Sequence, residues 1–327
     1  MPDCRPRRKL RWSLLAVAAP SNVFADLAAR VCPVCGAGPE AATLFLAQSF
    51  DAARLTADSF ASRKTPEFMS YRLLRCLDCA TVYAVAAPPA EALARAYAEA
   101  GYDSADEAIQ AADTYAAALR PHIAALPQRG TALEIGTGTG VLLERLLDAG
   151  FAEVVGIEPS AAAIAAAAPR ARSHIRQGVF AAADFAPASF DLICCNMTLE
   201  HVPDPACLTR ACAKLLRPGG MLAFVTHDYT APLNCLLGRR SPIIDIEHLQ
   251  LFCPASLARL FQTSGLQPVA TGKLRNRYHL RYWLRLAPLP STLKSTIARL
   301  LVALGLDRTT LALNVGNLMA IARRPGL

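Results

Sequence analysis

The stretch Glu134-Ile135-Gly136-Thr137-Gly138-Thr139-Gly140 follows a short apolar run at 131–135 and opens a helical pattern at 141–149. Glycines at such a junction let the backbone approach a ligand that a side chain would hold off. The free amides at the start of the helix favour polar or anionic groups. Outward from this loop, strands are expected at 154–157, 190–196 and 221–226, alternating with helices at 160–168 and 206–216. A further helix at 254–264 leads to strands at 267–271 and 317–322. Strands separated by helices need crossover connections, so the expected fold class is α/β, a doubly wound, largely parallel sheet covered on both faces. Glu158 ends the second strand, at the interval where an acid accepts hydrogen bonds from ribose hydroxyls.

At 327 residues the chain is too long for a lone metal module and suits one enzyme-sized core with an accessory piece. Hydrophobic residues reach 53%, but alanine-rich runs inflate that figure, and no apolar stretch attains the roughly 20 residues of a spanning helix. The net charge of +8 is concentrated at the ends. Residues 1–11 hold five Lys/Arg and one acid, and residues 273–327 hold ten and one, leaving the body at about −5. A protein gripping nucleic acid over its whole surface would spread positive charge over the folded body. Local basic patches fit an anionic membrane surface, an acidic substrate or RNA.

Cys32-Pro33-Val34-Cys35 and Cys76-Leu77-Asp78-Cys79 repeat the C-x-x-C spacing. Four thiolates at that spacing favour tetrahedral Zn²⁺, and a closed four-cysteine site is structural because it leaves no position for catalysis. The alternative is four unligated core cysteines. The eleven cysteines suit a reducing compartment, hence a cytoplasmic protein, although residues 5–25 loosely imitate a signal peptide. The expected organisation is a basic tail at 1–30, a zinc-binding module at 31–87, a helical connector at 88–125, and a cofactor-binding domain at 126–327 with a helical insertion at 273–316.

A dinucleotide fingerprint spaces its glycines G-x-G-x-x-G, whereas this loop reads G-x-G-x-G after Glu134. With Thr198-Leu199-Glu200-His201-Val202-Pro203-Asp204-Pro205, Leu215-Leu216-Arg217-Pro218-Gly219-Gly220 and Glu247-His248-Leu249, the chain over roughly residues 113–327 resembles the class I S-adenosylmethionine-dependent methyltransferases. The resemblance implies a Rossmann-like fold and S-adenosylmethionine as cofactor. It assigns Gly136, Gly138 and Gly140 to the methionine and ribose portion, Glu134 to the amino end and Glu158 to the ribose. Val179 and Phe180 fall where adenine is held, with Val179 in place of the family's frequent Asp. Asn196 and Met197 are expected to face the methyl group, and Tyr102 to close over the cofactor. A four-cysteine module ahead of such a domain is similar to that of sugar C-methyltransferases and some ribosomal RNA methyltransferases.

Methyl transfer is an in-line displacement, so positioning supplies much of the rate, and a base is needed only for a tightly held proton. Strand ends offer His201, His227, Asp228, Glu247 and His248; His201 and His248 are the catalytic candidates, each with a structural role as the alternative. The acceptor reading is a small molecule: a sugar, a lipid-linked intermediate or a natural-product scaffold. An RNA methyltransferase and a non-catalytic cofactor-binding or zinc interaction protein are the alternatives. The insertion carries Lys273, Arg275, Arg277, Tyr278, Arg281, Tyr282, Trp283 and Arg285, then apolar helical sequence over 293–306. Such residues suit peripheral contact with a membrane or an amphiphilic substrate, or else a lid with a solvated basic face.

Overall fold

The computed structural model describes residues 27–55, 59–61, 67–102, 105–287 and 289–326. The basic tail expected at 1–30 lies outside these residues up to position 26. Short elements come first: β1 (Ala28–Ala29), β2 (Ala42–Leu46), β3 (Leu73–Cys76), β4 (Val82–Ala84) and β5 (Ala86–Ala87), then helices α1 (Ala90–Glu99) and α2 (Ala105–Ala124). There follow β6 (Thr131–Ile135), α3 (Val141–Asp148), β7 (Glu153–Glu158), α4 (Ala161–Ala166), α5 (Pro169–Arg172), β8 (Ile175–Gln177) and β9 (Phe190–Asn196). Next are α6 (Pro205–Leu215), β10 (Leu216–His227), α7 (Pro232–Leu237), β11 (Gln250–Leu251) and α8 (Pro254–Thr263). The chain closes with β12 (Gln267–His279), α9 (Leu280–Leu286), α10 (Ser291–Ala303) and β13 (Thr310–Arg323).

Seven strands form one sheet in the order β12-β13-β10-β9-β6-β7-β8. Strand β13 runs antiparallel to both neighbours, and the other pairs are parallel. Alternation along the buried strands sends Leu133, Ile193 and Leu222 to one apolar cluster and Ala132, Leu192 and Ala223 to the other. That is the pattern of strands covered on both faces. Chain order reverses between β6 and β9, so the crevice at their carboxyl ends is the topological switch point where ligands bind in open α/β sheets. Glu134, Glu158, Asn196 and His227 all sit at or next to those ends.

The excursion at 273–316 is helical only over α9 and α10; it opens and closes as strand. The β12–β13 ladder continues from Gln267↔Arg323 out to His279↔Thr310, beyond the Met221–His227 stretch where β13 also pairs with β10. Leu274, Asn276 and Tyr278 turn inward and Lys273, Arg275 and Arg277 outward, the period-two pattern of a ribbon with one covered face.

The cysteine-bearing segment forms a second, antiparallel sheet of order β11-β4-β3-β2. Its edge strand β11 comes from the segment between β10 and α8, and Ile243, Ile244, Ile246 and Leu249 share a core with Met69, Tyr71, Leu73 and Val82. The module is built into the larger part by a strand remote in sequence. Among the described residues no helix is long and apolar enough to cross a membrane.

Candidate active site

Gly136, Gly138 and Gly140 have φ of +74°, +57° and +72°, backbone that L side chains rarely adopt. Their surroundings separate their roles. A Cβ on Gly136 would collide with the side chain of Thr198, so this glycine lets the Thr198 turn close down on the loop. Gly138 faces open space and donates its N–H to Glu158 Oε2 at 2.7 Å. Gly140 does not line the cavity. A Cβ there would stand 3.0 Å from Ala171 Cβ and Ile175 Cδ1, so its smallness serves close packing at the start of α3.

Glu158 also accepts from the Ser160 N–H at 2.8 Å. Burial raises its pKa, opposed by the Ser160 and Gly138 amides. A carboxylate has about four acceptor positions, so two donors leave capacity for a ligand's hydroxyls. Glu134 is buried, accepts from Thr137 Oγ1 at 2.6 Å and receives Asn196 Nδ2 at 3.3 Å. Asn196 Oδ1 is buried without a hydrogen-bond partner. Met197 follows at φ +49°, a strained value for a side chain-bearing residue, held by its N–H on Val225 O at 2.7 Å. Such strain costs on the order of 1–3 kcal/mol and clusters at functional sites.

These residues share a cavity of about 880 Å³ with a histidine cluster, within the size range of small-molecule sites. His201, His227 and His248 all line it, with ring centroids 5.0 Å apart for His201–His248 and 5.3 Å for His227–His248. Each Nδ1 lies beside an oxygen acceptor: Glu247 O at 3.2 Å for His201, Asn317 Oδ1 at 3.2 Å for His227 and Ile243 O at 2.8 Å for His248. A backbone carbonyl oxygen only accepts, so the short contact with Ile243 O puts the His248 proton on Nδ1 and leaves Nε2 as the basic nitrogen of that ring. Tyr97 OH lies 2.9 Å from His201 Nδ1, and the Glu247 carboxylate lies 3.8 Å from it. Burial and the neighbouring His248 hold His227 down to about 3, so its imidazole is neutral.

Of the residues expected from the sequence, Tyr102, Glu134, Gly136, Gly138, Glu158, Val179, Phe180, Asn196, Met197, His201 and His248 line this one cavity. Tyr278, Tyr282 and Trp283, expected from the sequence to meet a membrane or an amphiphilic substrate, also line it, as do Tyr97, Asn276 and Asn317, which the sequence did not single out. Asn276 is 3% exposed and its Oδ1 has no partner. Asn317 stands opposite His227 in the β10–β13 register, which explains their hydrogen bond. Only strand pairing, invisible in one sequence, brings those two together.

Cys32, Cys35, Cys76 and Cys79 converge, each with a sulfur within 4.8 Å of the others. Cys32–Cys79 and Cys35–Cys76 Sγ separations are 3.4 and 3.5 Å, and none of the four is in a disulfide. Zn–S bonds of about 2.3 Å at tetrahedral angles put sulfurs about 3.8 Å apart, so the donor set fits Zn²⁺ after a small expansion.

A mostly parallel sheet, a glycine loop at its switch point and acids at adjacent strand ends define the Rossmann-like fold of the class I methyltransferases. A family model described as "Methyltransferase domain" matches residues 108–271, half of the chain, and the chain belongs to that family. It is 32% identical over 160 residues to the ubiquinone biosynthesis O-methyltransferase of Idiomarina loihiensis, covering 43% of this chain and 63% of that protein. It is 38% identical over 167 residues to the protein of the same name from Methylococcus capsulatus, covering 46% and 70%. The chain thus spans a little under two thirds of the first curated relatives it matches. A solved SAM-dependent methyltransferase from Archaeoglobus fulgidus is similar at a TM-score of 0.45 and 16% identity, covering 65% of this chain and 94% of that one.

Proposed function

We propose that this protein methylates a hydroxyl of a small-molecule acceptor with S-adenosylmethionine, and that His248 is the general base. The observation that carries this reading is that one cavity joins the Glu134, Gly138 and Glu158 rim to the histidine cluster. Relatives named as O-methyltransferases support an oxygen acceptor. The bound cofactor supplies a methyl group on a sulfonium.

Glu158 takes the ribose hydroxyls, Glu134 the amino group, and the Gly136–Gly138 backbone the chain between them. Asn196 ends β9 and Met197 follows it, and both line the same cavity. His248, its Nδ1–H fixed on Ile243 O, would take the acceptor hydroxyl's proton at Nε2. Tyr282 and Trp283 line the cavity with aromatic rings that help keep water from the acceptor. Positioning and proton removal together account for the chemistry the residues must supply. The four cysteines hold structural Zn²⁺, and their thiolates suit a reducing, cytoplasmic location.

The test incubates the purified full chain and radiolabelled S-adenosylmethionine with an extract of its source organism, then counts label in lipid, small-molecule, RNA and protein fractions. Label in lipid or small molecules is the expected result. Label confined to RNA, or none despite measured cofactor binding, overturns the reading.

A further inference from the structure

The tip of the β12–β13 ribbon carries a surface that the reaction does not use. Along α10 and its cap, Leu293, Ile297, Leu300 and Leu304 recur at i, i+4, i+7 and i+11, the spacing of one helical face. Yet no residue of α10 is buried. Leu300, Val302 and Leu304 are 57%, 64% and 60% exposed, and Leu289 and Leu306 extend the apolar surface to either side. Ile297 is half-buried and α10 touches α9, but Leu293, Leu300 and Leu304 stay exposed among the described residues, and an apolar stripe left so open marks an interaction surface.

The charge around it identifies the occupant. Residues 273–308 hold eight Lys/Arg and a single acid, Asp307. Arg281 is paired with Asp106, and Arg285 lies over the Tyr282 ring at 4.9 Å, so these two brace the foot of the tip. Arg299 on α10 and Arg308 just beyond it are exposed, as are Arg275 and Arg277 on the ribbon that leads to the tip. A second copy of this chain would set like charge against like. An anionic bilayer meets both features at once, its headgroups taking the basic side chains and its acyl boundary the leucines.

We propose that the α9–α10 tip docks on an anionic membrane surface, with α10 lying in the interface plane and Leu293, Ile297, Leu300 and Leu304 turned into it. Tyr282, Trp283 and Leu286 of α9 wall the cavity, so docking brings the cavity wall against the bilayer and selects amphiphilic acceptors. The acceptor half rests on the methyl-transfer reading; the docking half does not.

Flotation of the full chain with phosphatidylcholine vesicles, with and without phosphatidylglycerol, tests the docking at low and high salt. Binding is expected only to the anionic vesicles, to weaken with salt, and to fall about tenfold or more in the Leu300→Glu/Leu304→Glu variant. Calorimetric binding of S-adenosylmethionine, unchanged in that variant, shows that the fold is intact. The Arg299→Glu/Arg308→Glu variant, which leaves the stripe in place, is expected to lose binding as well. Protein that stays in the aqueous fraction with anionic vesicles, or binds both vesicle types equally, overturns the proposal. So does a dimer in sedimentation that the leucine substitutions dissolve. Vesicle binding needs no turnover, so its failure is distinct from a failure to transfer methyl groups.

Discussion

The side-chain amide of Gln250 donates to the carbonyl oxygen of Leu199 at 2.7 Å, tying the edge strand of the cysteine-bearing sheet to the turn that carries His201. The same nitrogen reaches Val202 O at 2.8 Å and Glu200 O at 3.1 Å. Its Oε1 accepts from Arg30, whose guanidinium also donates to Pro203 O at 2.9 Å and Leu249 O at 3.1 Å. Two side chains thus splice the small sheet onto one wall of the cavity. Gln250→Ala strips partners from buried carbonyls and from Arg30, a loss of about 1–3 kcal/mol. Chemical denaturation is expected to show that loss, and turnover to fall while cofactor affinity holds, because Glu134 and Glu158 lie on other strands.

Glu200, next to His201, is fully buried; it accepts the His227 N–H at 2.7 Å, and its Oε2 has no partner. Burial pushes its pKa up to about 7, partly offset by the His227 backbone amide. The folded pKa exceeds the unfolded value near 4.5, so the contribution to stability is fully present below that value and is lost as pH rises through about 7. The loss is on the order of 3 kcal/mol. Thermal melts at pH values on either side of this window are expected to show wild type losing stability on the alkaline side and Glu200→Gln losing much less. Equal slopes in the two proteins would remove Glu200 from the account.

Zinc at the four cysteines makes a separate prediction. The purified chain is expected to carry about one Zn²⁺, and Cys76→Ser to lose it along with thermal stability. Turnover should fall too, because the sheet that the metal closes also supplies Gln250. A chain without zinc that is indifferent to chelators would return the cysteines to ordinary core packing.

The alternation of β6, β7, β9 and β10 with helices is legible in sequence because each strand is apolar enough to stand out. Strand β8 is not: it has three residues, Ile175-Arg176-Gln177, two of them exposed, so no hydrophobic run marks it. Strand β11 is two residues long and pairs with β4 across more than half the chain, a contact no local pattern encodes. The ribbon is different. The alternation Lys273-Leu274-Arg275-Asn276-Arg277-Tyr278 has the period of a strand, but its basic residues draw the eye to charge instead. The cofactor rim follows from motif order along one sheet edge. Asn276 and Asn317 become legible only once β12, β13 and β10 are in register.

Asn276 is the test of the acceptor end. Its buried, unpartnered Oδ1 on the cavity wall is a hydrogen-bond acceptor waiting for a donor on the ligand. Asn276→Leu keeps the volume and removes that acceptor. The acceptor KM is expected to rise about tenfold with a smaller change in kcat, since a single neutral hydrogen bond is worth about 0.5–1.5 kcal/mol. The affinity for S-adenosylmethionine should not move.

His248 carries the sharpest prediction. With Nδ1–H held by Ile243 O, its Nε2 is the basic nitrogen, and His248→Asn retains a donor near Ile243 while deleting the base. General-base catalysis typically contributes about 10²–10⁴-fold, so kcat should fall within that range at unchanged cofactor affinity. A rise in activity of the variant with increasing pH, as the acceptor's own hydroxyl ionises, would mark the missing group as a proton acceptor and not a packing residue. His227 is the internal control. Burial and its neighbour hold it down to about 3, so its protonation does not enter the neutral pH range, and His227→Asn should not reproduce the alkaline rise in activity expected of His248→Asn.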